Sequence, residues 1–239
     1  MKYFTMLGLV MLLCMTCSSI SIANPVTTQQ EGWSVMPDKA RTAVIFIEFQ
    51  AEWLAEGGLL YKALVTDKAA LHNAVEQAES VLAAARKNGW QIVHAGLDMR
   101  NDPTYRIFAG GKNVMGLRAA IPAAGTWTGK GAEFVAPFKP QQNEFVVSGR
   151  SGASIFTGSN LDSYLKNNKI DTLIMMGFAT HVCVESSLRE AHDAGYNVYI
   201  VTDASAGFSQ EQDAYFAKHV LHHFGAGMTA IQLTELLTR

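Results

Sequence analysis

Residues 171–202 read DTLIMMGFATHVCVESSLREAHDAGYNVYIVT, and this one stretch carries a complete folding unit. Asp171 to Gly177 is a near-continuous apolar run of strand length. Cys183 to Ala194 has helical spacing and is closed by Gly195, and Asn197 to Thr202 is a second strand-like run. Apolar runs without polar alternation suit parallel strands covered on both faces, and a strand–helix–strand path predicts a right-handed crossover.

The same rhythm extends in both directions. Upstream, Thr42 to Gln50 (TAVIFIEFQ) reads as a buried strand ending at Glu48. Ala70, Leu71, Val75, Ala78, Val81, Leu82 and Ala85 mark a helix from Thr66 to Asn88, stopped by Gly89. Strands are predicted over Trp90–Leu97 and Phe145–Val147, followed by a helix over Leu161–Asn168. Downstream come a helix over Gln210–Phe224 and a last strand over Met228–Leu233. The fold class is therefore a three-layer α/β/α domain, Rossmann-like, with a mostly parallel sheet of about five or six strands. In such sheets ligands bind outside the carboxyl ends of the strands, where Glu48, Asp203 and the Gly177–Cys183 turn fall. Residues 99–142 lack periodicity and are rich in Gly, Pro and aromatic side chains, as expected of a pocket-forming excursion.

Composition narrows the function. The 239 residues are 49% hydrophobic and 17% charged, which excludes disorder as the main state. A formal net charge of -2 leaves no broad basic field for phosphates, so nucleic acid is not an expected partner. Met1-Lys2, the apolar run Phe4–Cys17 and the small residues Ser21 and Ala23 read as a signal peptide over residues 1–23, followed by a polar leader over 24–39 and the domain over 40–239. The apolar run is too short for a stable membrane anchor. The expected location is periplasmic or secreted. Cleavage removes Cys14 and Cys17, leaving Cys183 as the lone thiol, with no intrachain disulfide and no cysteine-based zinc site.

Cys183 is predicted at or near a helix N-terminus, where unpaired N–H groups favour a thiolate and can hold an oxyanion. A buried, inert cysteine is the competing reading. Three blocks, AVIFIEFQ (43–50), GRSGASIFTGSNLDSYL (149–165) and MMGFATHVCVESSLREAHDAGYNVYIVTDAS (175–205), decide between them. In content, order and spacing the sequence resembles the isochorismatase-like cysteine hydrolases, which include nicotinamidases and carbamoyl and ureidoacrylate amidohydrolases. The resemblance spans roughly residues 40–237.

That resemblance implies a cysteine nucleophile at Cys183, with Glu48 where the family has aspartate and Arg150 where it has lysine. Glu48 can still exchange protons with the thiol and the leaving amine. Arg150 acts only by its charge and by forked hydrogen bonding to Glu48. The resemblance also implies a cis Phe178–Ala179 peptide that aims the Ala179 and Cys183 N–H groups at one point, forming an oxyanion hole. The expected function is exported hydrolysis of a C–N bond in a small amide or carbamoyl substrate through a Cys183 thioester. A catalytically altered family member that binds a small molecule is the alternative. Family members often form dimers or tetramers, so a homo-oligomer is compatible with the resemblance and the subunit number is left open.

Other candidates are weaker. Phe49, Trp53, Tyr105, Phe108 and Trp127, with Phe156 of the Ser-x-Phe element and His181, are candidates for substrate contact. His219, His222 and His223 share i, i+3, i+4 spacing that can bind a metal, but solvated helix histidines are commoner. Asp98 lacks the Asp-x-His pattern of metal-binding nicotinamidases. No cofactor and no metal are expected. Asp203 is read as a cap.

Overall fold

The computed structural model describes residues 36–109 and 115–239; the expected signal peptide and most of the leader lie outside the described residues. Six parallel strands form one sheet: β1 (Thr42–Ile47), β2 (Gln91–Ala95), β3 (Phe145–Val146), β4 (Thr172–Gly177), β5 (Asn197–Val201) and β6 (Ala226–Met228), in the order β3-β2-β1-β4-β5-β6. The order reverses direction between β1 and β4, which places a crevice beyond their carboxyl ends. In register, Ile47 stands opposite both Ala95 of β2 and Gly177 of β4.

Every residue of β1 and β4 is buried, because helices cover both faces of the sheet. Side chains alternate along a strand, so Val44 and Phe46 enter one core while Ala43, Ile45 and Ile47 enter the other. The described helices are α1 (Ala51–Leu54), α2 (Leu59–Ala63), α3 (Lys68–Lys87), α4 (Arg106–Ala109), α5 (Leu117–Ala124), α6 (Leu161–Asn167), α7 (Glu185–Asp193), α8 (Gln210–His219), α9 (Leu221–Phe224) and α10 (Ala230–Leu237). Helices α3 and α10 cover the first core, and α6, α7 and α8 the second.

Three boundaries correct the sequence reading. The stretch expected to be a last strand over Met228–Leu233 is mostly α10. Thr229 caps its start by accepting from the Gln232 N–H, and Gln232 returns a side-chain acceptor to the Thr229 N–H. The sixth strand lies earlier, in Ala226–Met228. The helix expected over Gln210–Phe224 breaks at Val220, so His219 sits on α8 and His222 and His223 on α9, not on one continuous face. Helix α7 starts at Glu185, because residues Thr180–Val184 wind a wider π-type turn around Cys183. Asp203, expected to cap the turn that follows it, instead accepts the Ala230 N–H at 2.8 Å, at the start of α10.

Candidate active site

The chain leaves β1 through a tight reversal at Glu48. Its φ of 58° lies in the left-handed region, at a cost of about 1 kcal/mol for a side-chain-bearing residue. Two backbone bonds hold it there: the Glu48 N–H donates to Ala95 O at 2.7 Å, and Glu48 O accepts from Gln50 N at 2.7 Å. The reversal turns the carboxylate inward, and Glu48 is fully buried. Gln50 secures the same corner. Its amide donates to Leu97 O and Ala132 O and accepts from the Leu97 N–H, tying the end of β1 to the loop after β2 and to residues 130–132.

Arg150 reaches Glu48 from the loop after β3. Its Nη1 lies 2.7 Å from Glu48 Oε1, as an ion pair whose geometry is not that of a well-directed hydrogen bond. Nε and Nη2 donate instead to the carbonyls of Gly152 and Ala153. The forked Arg150–carboxylate pair expected from sequence is thus not formed, because two arms of the guanidinium are taken by its own loop. The other carboxylate oxygen, Oε2, accepts from the Trp53 indole N–H at 2.6 Å. Trp53 was expected to touch substrate; it is 4% exposed and touches Glu48.

Cys183 approaches from β4. Gly177 makes this feasible: with φ 131°, it brings β4 so close to β1 that a Cβ there would lie 2.0 Å from Ile47 O. The Phe178–Ala179 peptide is cis, as the resemblance implied. Thr180 N donates to Ala206 O, whereas the Ala179 N–H has no acceptor among the described residues. Ser187 accepts the Ile155 N–H and donates to Cys183 O, linking the Ser-x-Phe element to the cysteine turn.

Electrostatics correct another expectation. Burial pushes the Cys183 thiol up and the Glu48 carboxylate adds to this, while Arg150 pulls the other way without prevailing. The net direction favours the protonated thiol, against the lowering expected from a place near a helix N-terminus and in keeping with a carboxylate that must take the proton. Burial works against the Arg150 charge as well, but Glu48 and Cys183 outweigh it, so the guanidinium holds its proton more firmly than usual.

A cavity of about 650 Å³ lies beside these groups and shares Arg150 with them. Its walls include Gln50, Asp98, Arg100, Phe134, Lys139 and Ser148, whereas Glu48 and Cys183 do not line it. None of the aromatic residues expected at the substrate lines it. Phe49 stacks on Phe138 at 4.1 Å within the core, Trp127 is buried with its backbone N–H donating to Glu52 Oε2, and Phe156 packs against Tyr196. Tyr105 and Phe108 are also buried outside the cavity wall. His181 is half-buried, with its ring edge on Phe208 at 4.5 Å, and burial lowers its pKa. These aromatic side chains fold into the core for the same reason that strand residues do, so the wall combines smaller apolar residues such as Leu97, Ile107 and Val146 with the polar and charged ones. Sequence reasoning missed Gln50, Arg100 and Lys139. The only local signal was the place of Gln50 two residues after Glu48. Among the described residues no three His, Cys, Asp or Glu side chains gather as metal ligands.

A doubly wound parallel sheet whose switch point gathers a thiol, a carboxylate and a guanidinium is the make-up of a cysteine-dependent hydrolase. The chain belongs to the isochorismatase family: the family model described as Isochorismatase domain matches residues 42–232. A ureidoacrylate amidohydrolase, RutB of Stutzerimonas stutzeri (strain A1501), is 31% identical over 192 residues, covering 74% of this chain and 75% of that one. An isochorismatase family protein of Bacillus subtilis (strain 168), YwoC, is 34% identical over 104 residues, which span 44% of this chain and 54% of YwoC. The crystal structure of a cysteine hydrolase from Pseudomonas syringae pv. phaseolicola 1448A shares the fold, with a TM-score of 0.71 at 21% identity over 84% of this chain and 94% of that one.

Proposed function

We propose that this hydrolase cleaves a C–N bond of a small amide or carbamoyl compound, with Cys183 as nucleophile. The observation that carries the reading is the meeting of Cys183, Glu48 and Arg150 in one buried cluster, beside an Ala179 N–H without an acceptor among the described residues. The ureidoacrylate amidohydrolase relative supports the choice of bond.

Because the resting thiol is protonated, proton transfer accompanies attack. Glu48 takes the Sγ proton as sulfur bonds to the carbonyl carbon, and the Ala179 and Cys183 N–H groups receive the developing oxyanion. The C–N bond then breaks, with the proton passing from Glu48 to the departing nitrogen, and leaves a thioester on Cys183. Glu48 next takes a proton from water, whose oxygen displaces sulfur and releases the acid, and Cys183 regains its proton. Arg150 keeps its charge throughout and steadies the carboxylate and the sulfur. We also propose export, with removal of residues 1–23; the mass of the mature protein from a periplasmic or culture fraction tests it.

Intact-protein mass spectrometry and product analysis of wild type and Cys183→Ala, incubated with a panel of small amides and carbamoyl compounds, test the chemistry. Turnover is expected, falling on the order of a thousandfold or more in the variant, with an acyl adduct on wild type alone. Neither product nor adduct across the panel overturns the reading in favour of a binding protein.

A further inference from the structure

Glu48 carries one more side-chain torsion than an aspartate would at this position, and its arginine contact is a single, poorly directed one. A buried carboxylate held only in that way has freedom to swing away from the sulfur. The second oxygen is held from the opposite sequence direction, by an indole five residues on, at 2.6 Å. Indole nitrogen is a donor only and does not titrate in the working pH range, so it keeps this bond whichever way the proton moves elsewhere.

The indole is itself fixed. Trp53 sits on the short helix α1, with its backbone N–H on Gln50 O, and Gln50 is bound on both sides of its amide. Its ring stacks on Phe208, with centroids 5.7 Å apart and planes 25° apart. Phe208 in turn receives the edge of His181, two residues before the nucleophile, and its carbonyl is bound by the Thr66 hydroxyl at 2.6 Å. Trp53, Phe208 and His181 therefore form a ring column, buried at its Trp53 end and half-buried beyond it, from the Glu48 turn to the Cys183 turn.

We propose that Trp53 is a positioning residue for the hydrolytic reaction: its indole N–H holds Glu48 Oε2, and its stacked ring sets the distance between the Glu48 turn and the Cys183 turn. The inference rests on Glu48 exchanging protons with Cys183, as in the proposed mechanism. An N–H donor stabilises a carboxylate more than a carboxylic acid, so removing it moves the acidic limb of the pH–rate profile upward. That limb belongs to the Glu48–Cys183 pair as a unit.

Trp53→Phe removes the N–H and leaves a ring to stack on Phe208. We expect kcat to fall about tenfold with KM little changed, and the acidic limb of kcat/KM to move up by about one pH unit. A folded variant whose limb stays in place overturns the proposal. If the variant does not fold, the wild-type indole ¹⁵N–¹H resonance of Trp53, assigned through its proximity to Phe208, decides instead. It is expected downfield of the other indoles and displaced upfield by Glu48→Gln, and an indifferent resonance overturns the proposal. Because this readout needs no turnover, it separates failure of the Trp53 assignment from failure of the amidase reading, which an inactive wild type would reveal.

Discussion

Two carboxylates of this molecule each meet an arginine and a third ionisable side chain, and they do different things. Glu144, just before β3, receives Nε and Nη2 of Arg86 at 2.7 and 2.9 Å, the Gln141 N–H at 2.9 Å, and His94 Nε2 at 2.8 Å. Burial opposes its charge, yet Arg86, Gln141 and His94 outweigh it and hold the carboxyl down at about 2. The other N–H groups of Arg86 clasp Pro137 O and Lys139 O, so this cluster pins to α3 the loop that supplies Lys139 to the cavity. Glu48 is deeper but has fewer partners, with one arginine contact and one indole. A carboxylate whose lone pairs are saturated by donors is a clamp. One with acceptor capacity to spare beside a protonated thiol can receive a proton.

The largest expected effect tests the second half of that contrast. Glu48→Gln should lower turnover per folded molecule by about a hundredfold or more, as loss of a general base does, while Arg150 retains its two carbonyl partners. In the same variant, iodoacetamide should alkylate Cys183 several times faster at neutral pH than in wild type. Removing the Glu48 charge takes away one of the influences that raise the thiol, leaving Arg150 to favour thiolate. Slower or unchanged alkylation would mean that the carboxylate does not govern the sulfur.

Glu144→Gln should show the reverse, with kcat within about twofold of wild type and a loss of about 1–2 kcal/mol in urea denaturation. That figure is reduced for solvent screening at the partly open Arg86 end of the pair. A large loss of kcat in this variant would break the distinction between clamp and working site.

The smallest effect is in the pH dependence of stability. His94 is fully buried, and burial lowers its pKa despite the opposing pull of Glu144. A histidine kept neutral in the fold but protonated when unfolded loses stability as pH falls through the unfolded value of about 6.5. The Glu144 contribution is fully present above its unfolded value of about 4.3 and is lost as pH falls toward about 2. Denaturation midpoints should therefore begin to decline near pH 6.5 and fall further below about 4.5 in wild type, and the second decline should be shallower in Glu144→Gln. Equal slopes in both proteins would remove Glu144 from the acid-sensitive set.

Much of this architecture was legible from residue order. Near-continuous apolar strands, helical spacing and glycine stops record burial locally, so the α/β/α layers, the placing of Glu48 at the end of β1 and the turn before Cys183 could be read from the chain. Short elements were not legible: β6 is three residues long, and the capping pair Thr229–Gln232 outweighs the strand-like look of the residues that follow. The rest of the site depends on partners far apart in sequence. The family resemblance carried by three sequence blocks placed Glu48, Arg150 and Cys183 in one mechanism. Tertiary structure decided that Arg150 spends two arms on its own loop, that Trp53 binds Glu48 while Arg100 and Lys139 reach the cavity wall, and that burial raises the thiol. Periodicity is a property of neighbours along the chain. Hydrogen-bond partners and desolvation are set by whatever the fold brings within a few ångströms, and no local pattern encodes that.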